Sequence, residues 1–325
     1  MLIYAGIDEA GYGPMFGPMV IARTVFRIEK ADPNFFPPPL WSLLPSLVCR
    51  RITDKKRRIA INDSKALYSP ALGLGHLERG GLAFLGSAGC RPESLEDLLE
   101  SVGFDPLSRG IPHPWYTDVD GTPQLPAALE IKEVERACRR VSRTAEREGI
   151  ALVDASAAVV FEERFNRMIA ECGSKGACSW QFVAGHLRTI WERFGQHCPH
   201  VVIDRQGGRR YYRDQLAELF PAARLVVHLE SAPTSRYKLR EGARAMYVTV
   251  QIDAEKAHLP VALASMTAKY VRELLMRRFQ RYWRDMAPQV RPTFGYFGDG
   301  RRFLNEIEPL LERLQIDRAT LIRNG

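Results

Sequence analysis

The N-terminal segment constrains the fold more than any other part of the chain. An apolar run leads directly into Asp8 and Glu9, and a turn rich in glycine and proline, residues 10–18, follows. This pattern predicts a buried strand over residues 2–9 and a second strand over residues 19–28. Carboxylates crowded at the end of a strand cannot all stay ionised unless something cationic lies between them. The pattern therefore predicts an acidic site at one edge of a sheet.

The rest of the chain alternates between strand and helix patterns. Apolar and alternating segments predict strands near residues 150–154, 201–204, 224–230 and 247–253, the last with the alternation of an edge strand. Helices are predicted from Lys65, over 127–148, 156–171 and 180–195, from Pro260 to Met286, and over 302–315. Strands mixed with helices favour the α/β class with a mixed sheet.

Residues 71–126 differ from the segments on either side. They are rich in glycine and proline and have weak hydrophobic periodicity, except around 92–102. We interpret this segment as an insertion or lid and not as part of the core. With 325 residues, 46% of them hydrophobic, the chain can bury a sizeable core. We expect residues 1–325 to form a single domain that contains the insertion.

The charge balance favours a polyanionic partner. The formal net charge is +8 and the pI about 9.3, and neutralising phosphates releases counterions. No segment approaches the roughly 18 apolar residues that a membrane helix needs, and the N-terminal apolar run is too short for a signal peptide. We therefore expect a cytoplasmic protein that binds nucleic acid and no membrane. Protein partners and the oligomeric state are not predicted.

Four carboxylates are candidates for one site: Asp8, Glu9, Asp204 and Glu273. The first three lie at the ends of predicted strands, and the fourth lies in the long basic helix. Hard divalent cations such as Mg²⁺ prefer carboxylate oxygens, and two ions about 4 Å apart suit phosphodiester hydrolysis. The alternative is that the strand-end carboxylates are solvated turn residues, while Lys269 and Glu273 form an ordinary helix pair.

The loop after Asp204 is a candidate for contacts to a nucleic-acid backbone. Residues 205–213, RQGGRRYYR, combine glycines, which permit close approach of the main chain, with arginines that can bind phosphates. Arg209 and Arg210 are the candidates from this loop. A plain solvated turn explains the same residues, and both interpretations stay open here.

Five short motifs together resemble those of one family. Residues 6–18, GIDEAGYGPMFGP, resemble the N-terminal signature of ribonuclease HII, in which Asp-Glu is followed by a glycine loop. Other motifs of that family are matched by residues 62–65 (NDSK), 201–204 (VVID), 264–273 (ASMTAKYVRE) and 292–300 (PTFGYFGDG). The chain thus resembles a divergent ribonuclease HII, of the ribonuclease H-like superfamily, over these segments.

The resemblance implies an α/β, ribonuclease H-like fold, with a five-stranded mixed sheet flanked by helices and a large insertion after the second strand. It implies a metal-dependent endonuclease that hydrolyses RNA in RNA/DNA hybrids or at ribonucleotides embedded in DNA. Two Mg²⁺ or Mn²⁺ ions would act in the reaction, and the products would carry a 3′-hydroxyl and a 5′-phosphate. The metal ligands and catalytic residues would be Asp8, Glu9, Asp204 and Glu273.

The resemblance also implies residues that bind the substrate. The glycine loop would offer backbone groups to a ribose 2′-hydroxyl, the group that distinguishes RNA from DNA. The Asp-Ser-Lys segment would support the site or meet a phosphate, and a tyrosine would stack on a sugar beside the cleaved bond. Together with the loop arginines and the helix lysine, the predicted substrate-binding residues are Gly11, Tyr12, Gly13, Ser64, Lys65, Arg209, Arg210, Lys269 and Tyr296.

Two positions depart from the family pattern. Tyr12 stands where the glycine loop usually carries an arginine, and Glu273 stands where the last carboxylate is usually an aspartate. Two alternatives therefore stay open beside the hybrid-cleaving nuclease. One is a related nuclease that cuts structured RNA or branched DNA with the same metals. The other is a non-catalytic nucleic-acid binder on the same scaffold.

Overall fold

A computed structural model describes residues 1–54, 58–103, 113–117, 124–205 and 207–324. The strands are β1 (Leu2–Ala10), β2 (Met19–Ile28), β3 (Val48–Cys49), β4 (Ile59–Ala60), β5 (Ile150–Val160), β6 (His200–Asp204), β7 (Arg224–Glu230), β8 (Thr234–Glu241) and β9 (Arg244–Gln251). The helices are α1 (Leu40–Leu43), α2 (Ser64–Leu67), α3 (Gly75–Ser87), α4 (Leu95–Ser101), α5 (Ile131–Glu148), α6 (Glu162–Cys172), α7 (Lys175–Phe194), α8 (Arg213–Leu219), α9 (Leu259–Met286), α10 (Phe297–Leu314) and α11 (Arg318–Leu321).

One mixed sheet of seven strands, in the order β5-β2-β1-β6-β9-β8-β7, forms the centre of the fold. β1 pairs antiparallel with β2 and parallel with β6, and β6 pairs parallel with β9. The mixed α/β class is confirmed, but the expected count of five strands is corrected to seven because the hairpin β7–β8 extends the sheet beyond β9. β9 is therefore an interior strand and not the predicted edge strand.

Helices cover both faces of the sheet where β1 and β2 lie. α9 packs on one face, and its approach to β1 is so close that a Cβ at Gly6 would lie 2.1 Å from the main-chain nitrogen of Val261. α7 covers the opposite face, and its apolar residues join those of the strands in a second cluster. Among the described residues, no helix is long and apolar enough to span a membrane.

Part of the segment 71–126 lies in the core. Apolar residues of α3 belong to the same buried cluster as those of α5 and α9. Glu78 of α3 is fully buried and accepts hydrogen bonds from the backbone N–H groups of residues 127–129. The expectation that this segment contributes nothing to the core is corrected for these residues. Residues 104–112 and 118–123, to which the same expectation applied, lie outside the described residues.

Candidate metal centre

Asp8 and Asp204 are neighbours near the ends of two parallel strands. Ile7 of β1 lies opposite Ile203 of β6, so the next residue on each strand is a carboxylate. Asp8 is 7% exposed, and its Oδ1 accepts a hydrogen bond from the N–H of Glu9 at 2.7 Å. Burial raises the pKa of Asp8 well above its ordinary value, and the charges of Glu9 and Asp204 raise it further. Three predicted carboxylates therefore lie together.

Glu255, a carboxylate that we did not predict, completes the cluster. It lies in the turn after β9, where the N–H of Ala254 donates to Asp204 Oδ1 at 2.8 Å. The carboxyl groups of Glu255 and Asp204 lie close enough to affect each other's ionisation. Burial, followed by the charge of Asp204, raises the pKa of Glu255 to about 7. Its position two residues after a predicted strand, 247–253, is the sequence signal that could have identified it.

Glu273 lies apart from this cluster, in contrast to our expectation. Its carboxylate accepts hydrogen bonds from Lys269 Nζ at 2.7 Å, Arg272 Nη1 at 3.1 Å and the Tyr68 hydroxyl at 2.6 Å. Burial acts to raise the pKa of Glu273, but the charges of Lys269 and Arg272 hold the pKa below its ordinary value. Ser265, the α9 residue that hydrogen-bonds the cluster, lies two helical turns earlier, about 12 Å along the axis. Glu273 is thus part of a separate buried ion-pair group.

Arg272 supports the glycine turn that follows β1. Gly11 has a φ of +83°, and a Cβ there would lie 2.6 Å from both the Pro18 carbonyl oxygen and Arg272 Nε. The Arg272 side chain is buried, and its Nη2 donates to the carbonyl oxygen of Phe16 at 3.1 Å. A Cβ at Gly13 would meet nothing within 4 Å. The turn is therefore packed at Gly11 and open at Gly13.

Tyr12, between these glycines, lines a cavity of about 300 Å³. Lys175 at the start of α7, Gly207 and Arg209 line the same cavity. A Cβ at Gly207 would lie 3.1 Å from the Tyr12 hydroxyl, so the cavity wall is closely packed there. Burial raises the pKa of Tyr12, and the nearby charge of Glu9 adds to this effect. Two predicted substrate-binding residues, Tyr12 and Arg209, therefore share a cavity beside the carboxylates.

Ser64 and Lys65 lie in the short helix α2, close to the carboxylate cluster. Ser64 is buried, and its hydroxyl accepts a hydrogen bond from the hydroxyl of Ser265 at 3.1 Å. Burial raises the pKa of Asp204, and the positive charge of Lys65 acts in the opposite direction. Lys65 therefore lies near enough to Asp204 to compensate part of its negative charge.

The other predicted substrate-binding residues differ in accessibility. Tyr296 is 55% exposed, and its loop is attached to the glycine turn because the N–H of Met15 donates to the Gly295 carbonyl at 2.8 Å. Arg210 is exposed as well. The side chain of Lys269 is largely buried, and its charge is already balanced within the ion-pair group. Tyr296 and Arg210 are therefore accessible to a substrate, whereas Lys269 forms a buried ion pair with Glu273.

The chemistry of the cluster suits a hard divalent cation. Its donors are carboxylate oxygens, which Mg²⁺ and Mn²⁺ prefer, and Oε2 of Glu255 is buried with no hydrogen-bond partner among the described residues. Within that part of the chain, no three Asp, Glu, His or Cys side chains are already arranged around one metal position. A cation would draw these carboxylates together and remove their mutual repulsion. The residues therefore fit a divalent metal.

The chain is similar to several solved structures at low sequence identity. No protein-family model and no curated protein matches the chain. A solved structure of ribonuclease HII from Archaeoglobus fulgidus, in complex with PCNA, is 15% identical over 98% of this chain and 93% of that chain, with a TM-score of 0.41. Ribonuclease H2 from Pyrococcus horikoshii OT3 is 14% identical over 98% and 92%, with a TM-score of 0.39. Bst-RNase HIII in complex with Mn²⁺ is 14% identical over 99% of this chain and 66% of that chain, with a TM-score of 0.42.

Proposed function

We propose that this chain is a metal-dependent endonuclease of the ribonuclease H type, which cleaves RNA paired with DNA or ribonucleotides embedded in DNA. The observation that carries the proposal is the carboxylate cluster, in which burial and neighbouring negative charge raise the pKa of both Asp8 and Glu255. Buried like charges are costly for folding, and a cationic ligand explains why a chain would keep them. The net charge of +8 supports a polyanionic substrate.

In this proposal the metal ligands are Asp8, Glu9, Asp204 and Glu255, with Glu255 in the place that we first expected for Glu273. Two Mg²⁺ or Mn²⁺ ions, when bound there, would supply Lewis-acid stabilisation of the negative charge that develops at the reacting phosphate. Ser265 would lie against Asp8, and its hydrogen bond to Ser64 would fix its own position. Lys65 would balance charge at Asp204 and meet a phosphate of the substrate.

The glycine turn would recognise the ribose. Its main chain at Gly13 is open to solvent and can hydrogen-bond a 2′-hydroxyl, which DNA lacks. Tyr296 would pack on the adjacent sugar, because its loop is hydrogen-bonded to the turn. Glu273 would contribute indirectly, since it fixes Arg272 and Arg272 supports Gly11 from beneath. The cleaved strand would leave with a 3′-hydroxyl and a 5′-phosphate.

A related nuclease with another substrate, such as structured RNA or branched DNA, is the second candidate. The observation that favours it is Tyr12, which lines a cavity with Lys175 and Arg209. A tyrosine cannot make the charged contact that an arginine in the turn would make. A non-catalytic binder is disfavoured, because a carboxylate cluster repels phosphates unless a cation is present.

A cleavage assay tests the proposal. Its substrates are a DNA duplex with one ribonucleotide, an RNA/DNA hybrid, a DNA four-way junction and plain duplex DNA, each with Mg²⁺ and with Mn²⁺. Wild-type protein should cut the first two, and Asp8→Asn, with a thermal melt showing that it is folded, should not. Cutting of the junction alone would favour the second candidate. Cutting of no substrate by folded wild-type protein would overturn the proposal.

A further inference from the structure

The hairpin β7–β8 and strand β9 extend the sheet past the part that helices cover on both faces. One face of this extension is buried, where Tyr237 and Leu239 of β8 and Val248 of β9 pack into the core. The opposite face belongs to the side on which α9 packs, but α9 lies over β1 and β2 and not over the hairpin. The side chains that alternate with the buried ones therefore form a surface that is open at its outer end, at Arg224 and Arg240, and half-buried at Arg236 and Lys238.

Four cations lie on this surface, which we call the basic face: Arg224 of β7 and Arg236, Lys238 and Arg240 of β8. None of them forms an ion pair with a carboxylate among the described residues. Arg224 lies directly opposite Arg240 in the strand register, and both are exposed. Like charges placed directly across two strands destabilise a hairpin, so this arrangement favours an anion between or above them.

Aromatic rings lie among these cations. Lys238 Nζ is 4.6 Å from the ring centre of Tyr247 and donates to its hydroxyl at 2.8 Å. The guanidinium of Arg236 lies 4.5 Å from the ring centre of Phe36, which is 43% exposed. Cation–π contacts of this kind hold the charged groups in place without neutralising them. Cations interleaved with exposed aromatic rings are typical of surfaces that bind nucleic-acid strands.

The register of the strands relates the basic face to the carboxylate cluster. Asp204 lies opposite Gln251 of β9, and Arg236 lies opposite Thr249 of the same strand. With about 4.8 Å between strands and 3.3 Å per residue, Arg236 is roughly 12 Å from Asp204. The same spacings place Arg224 roughly 25 Å from Asp204. At 3.4 Å per base pair, this distance corresponds to about seven base pairs of duplex.

We propose that the basic face binds the sugar–phosphate backbone of the substrate duplex, up to about seven base pairs to one side of the cleaved bond. The inference rests on the proposed function in so far as the substrate is a nucleic acid. The basic face adds affinity for long substrates and takes no part in the chemical step. Substrates too short to reach Arg224 and Arg240 do not benefit from it.

Fluorescence anisotropy in EDTA tests this, with hybrids of 8 and 20 base pairs titrated at several salt concentrations. The test variant is Arg224→Gln with Arg240→Gln, since both residues are exposed and neither contacts an aromatic ring. The matched control is Arg136→Gln with Arg143→Gln, which removes two exposed arginines from α5. The test variant should bind the 20-mer roughly tenfold more weakly than the control does, and its slope of log K against log salt should fall by about two. The test variant should lose much less affinity for the 8-mer, because few of the registers in which an 8-mer can bind reach Arg224 and Arg240.

Equal binding of the 20-mer by test and control variants would overturn the inference, and so would an equal loss on the 8-mer. If the double variant unfolds at a lower temperature than wild type, the single variant Arg240→Gln provides the test. Its slope of log K against log salt is expected to fall by about one. Failure of the proposed function is recognised separately. In that case wild-type protein cleaves neither hybrid in Mg²⁺ or Mn²⁺, whereas the difference between test and control variants remains.

Discussion

Glu255 and Glu273 are both buried glutamates, yet their surroundings give them opposite electrostatic states. Glu255 faces another carboxylate, and burial together with the charge of Asp204 raises its pKa to about 7. Glu273 faces Lys269 and Arg272, whose charges outweigh burial and lower its pKa. Glu255 forms no ion pair with a cation among the described residues, so a bound metal ion would stabilise its charge. Glu273 already has two cationic partners, Lys269 and Arg272. We therefore propose Glu255, and not Glu273, as the metal ligand.

The strand-end pattern predicted that Asp8, Glu9 and Asp204 lie close together, because residues at the ends of neighbouring parallel strands meet at one edge of a sheet. Their role as metal ligands stays a prediction. The pattern does not extend to the fourth predicted position, which lies in a helix. Glu273 was chosen from a helix motif, although its spacing from Lys269 also fitted an ordinary ion pair, and that pair is what the structure contains. Glu255 could not be identified as a neighbour of Asp204 from the sequence, because this requires knowing that β9 lies next to β6.

We predict opposite effects on stability when these two glutamates are neutralised. In EDTA, Glu255→Gln should raise the free energy of unfolding by about 1 kcal/mol, because it relieves repulsion with Asp204. Glu273→Gln should lower it by about 3 kcal/mol, because two buried cations lose their partner. Thermal or denaturant unfolding of the two variants and wild type measures both changes.

The same unfolding experiment with Mn²⁺ adds a control on ligand binding. Mn²⁺ should stabilise wild type and Glu273→Gln, since ligands that bind only the folded state raise its stability. It should stabilise Glu255→Gln much less. A destabilised Glu255→Gln variant that still gains full stability from Mn²⁺ would contradict the assignment.

His258 makes the stability of the fold sensitive to acid. It is 6% exposed, and its Nδ1 lies 2.5 Å from the Tyr4 hydroxyl. Burial, followed by the charge of Arg236, lowers the pKa of His258 to about 4. Because the folded-state pKa lies below the unfolded value of about 6.5, its contribution is complete above pH 6.5 and is lost as the pH falls towards 4.

We expect this one group to account for a loss of about 3 kcal/mol between pH 6.5 and pH 4. His258→Gln, which can keep a hydrogen bond to Tyr4, should show a flatter dependence of the free energy of unfolding on pH in that window. Denaturant titrations at five or six pH values measure the difference between the two profiles. Parallel profiles would show that His258 is not held neutral by burial.

At the scale of elements, α3 and β9 show where sequence patterns reach their limit. The glycines of α3 led us to interpret the segment as a loop. In the structure, a Cβ at Gly80 would lie 2.4 Å from Met266 Cε, so glycine at this position permits close packing of α3 against α9. β9 alternates because one face carries the apolar residues that enter the core, whereas the other carries Tyr247 and Gln251, which are half-buried. A sequence pattern reports which side chains are buried, and it does not report which element covers them.

The contact of α9 with β1 gives a prediction for packing between these elements. Gly6→Ala should destabilise the protein by at least about 3 kcal/mol, because its Cβ would lie within 2.2 Å of main-chain atoms of Pro260 and Val261. Gly185→Ala in α7 is the matched control, since a Cβ there would meet nothing within 4 Å. The control should be neutral or stabilising by up to about 1 kcal/mol.

Chemical denaturation of both alanine variants measures this difference directly. A Gly6→Ala protein as stable as the control would mean that α9 can move away from β1 at little cost. In that case the position of Ser265 beside Asp8 would not be fixed by the close approach of helix and strand.

At the scale of the whole molecule, the sheet brings the functional parts together. Strands β1, β6 and β9 carry the carboxylates or the turn that holds Glu255, and the extension β7–β8 carries the basic face on the same side. The α/β class, the acidic edge and the basic surplus could be predicted from the sequence. Strand β7 was predicted as well, but its partner β8 and the position of the hairpin beyond β9 were not, because nothing local shows where in the sheet a strand lies.

The central claim is that the cluster around Asp204 and Glu255 cleaves nucleic acid. Single-turnover cleavage of a DNA duplex with one ribonucleotide, in Mg²⁺, tests it most directly when wild type, Glu255→Gln and Glu273→Gln are compared as folded proteins. We predict that Glu255→Gln lowers the rate by roughly a hundredfold or more, while Glu273→Gln stays within roughly tenfold of wild type. The reverse order, with Glu255→Gln active and Glu273→Gln inactive, would contradict the account.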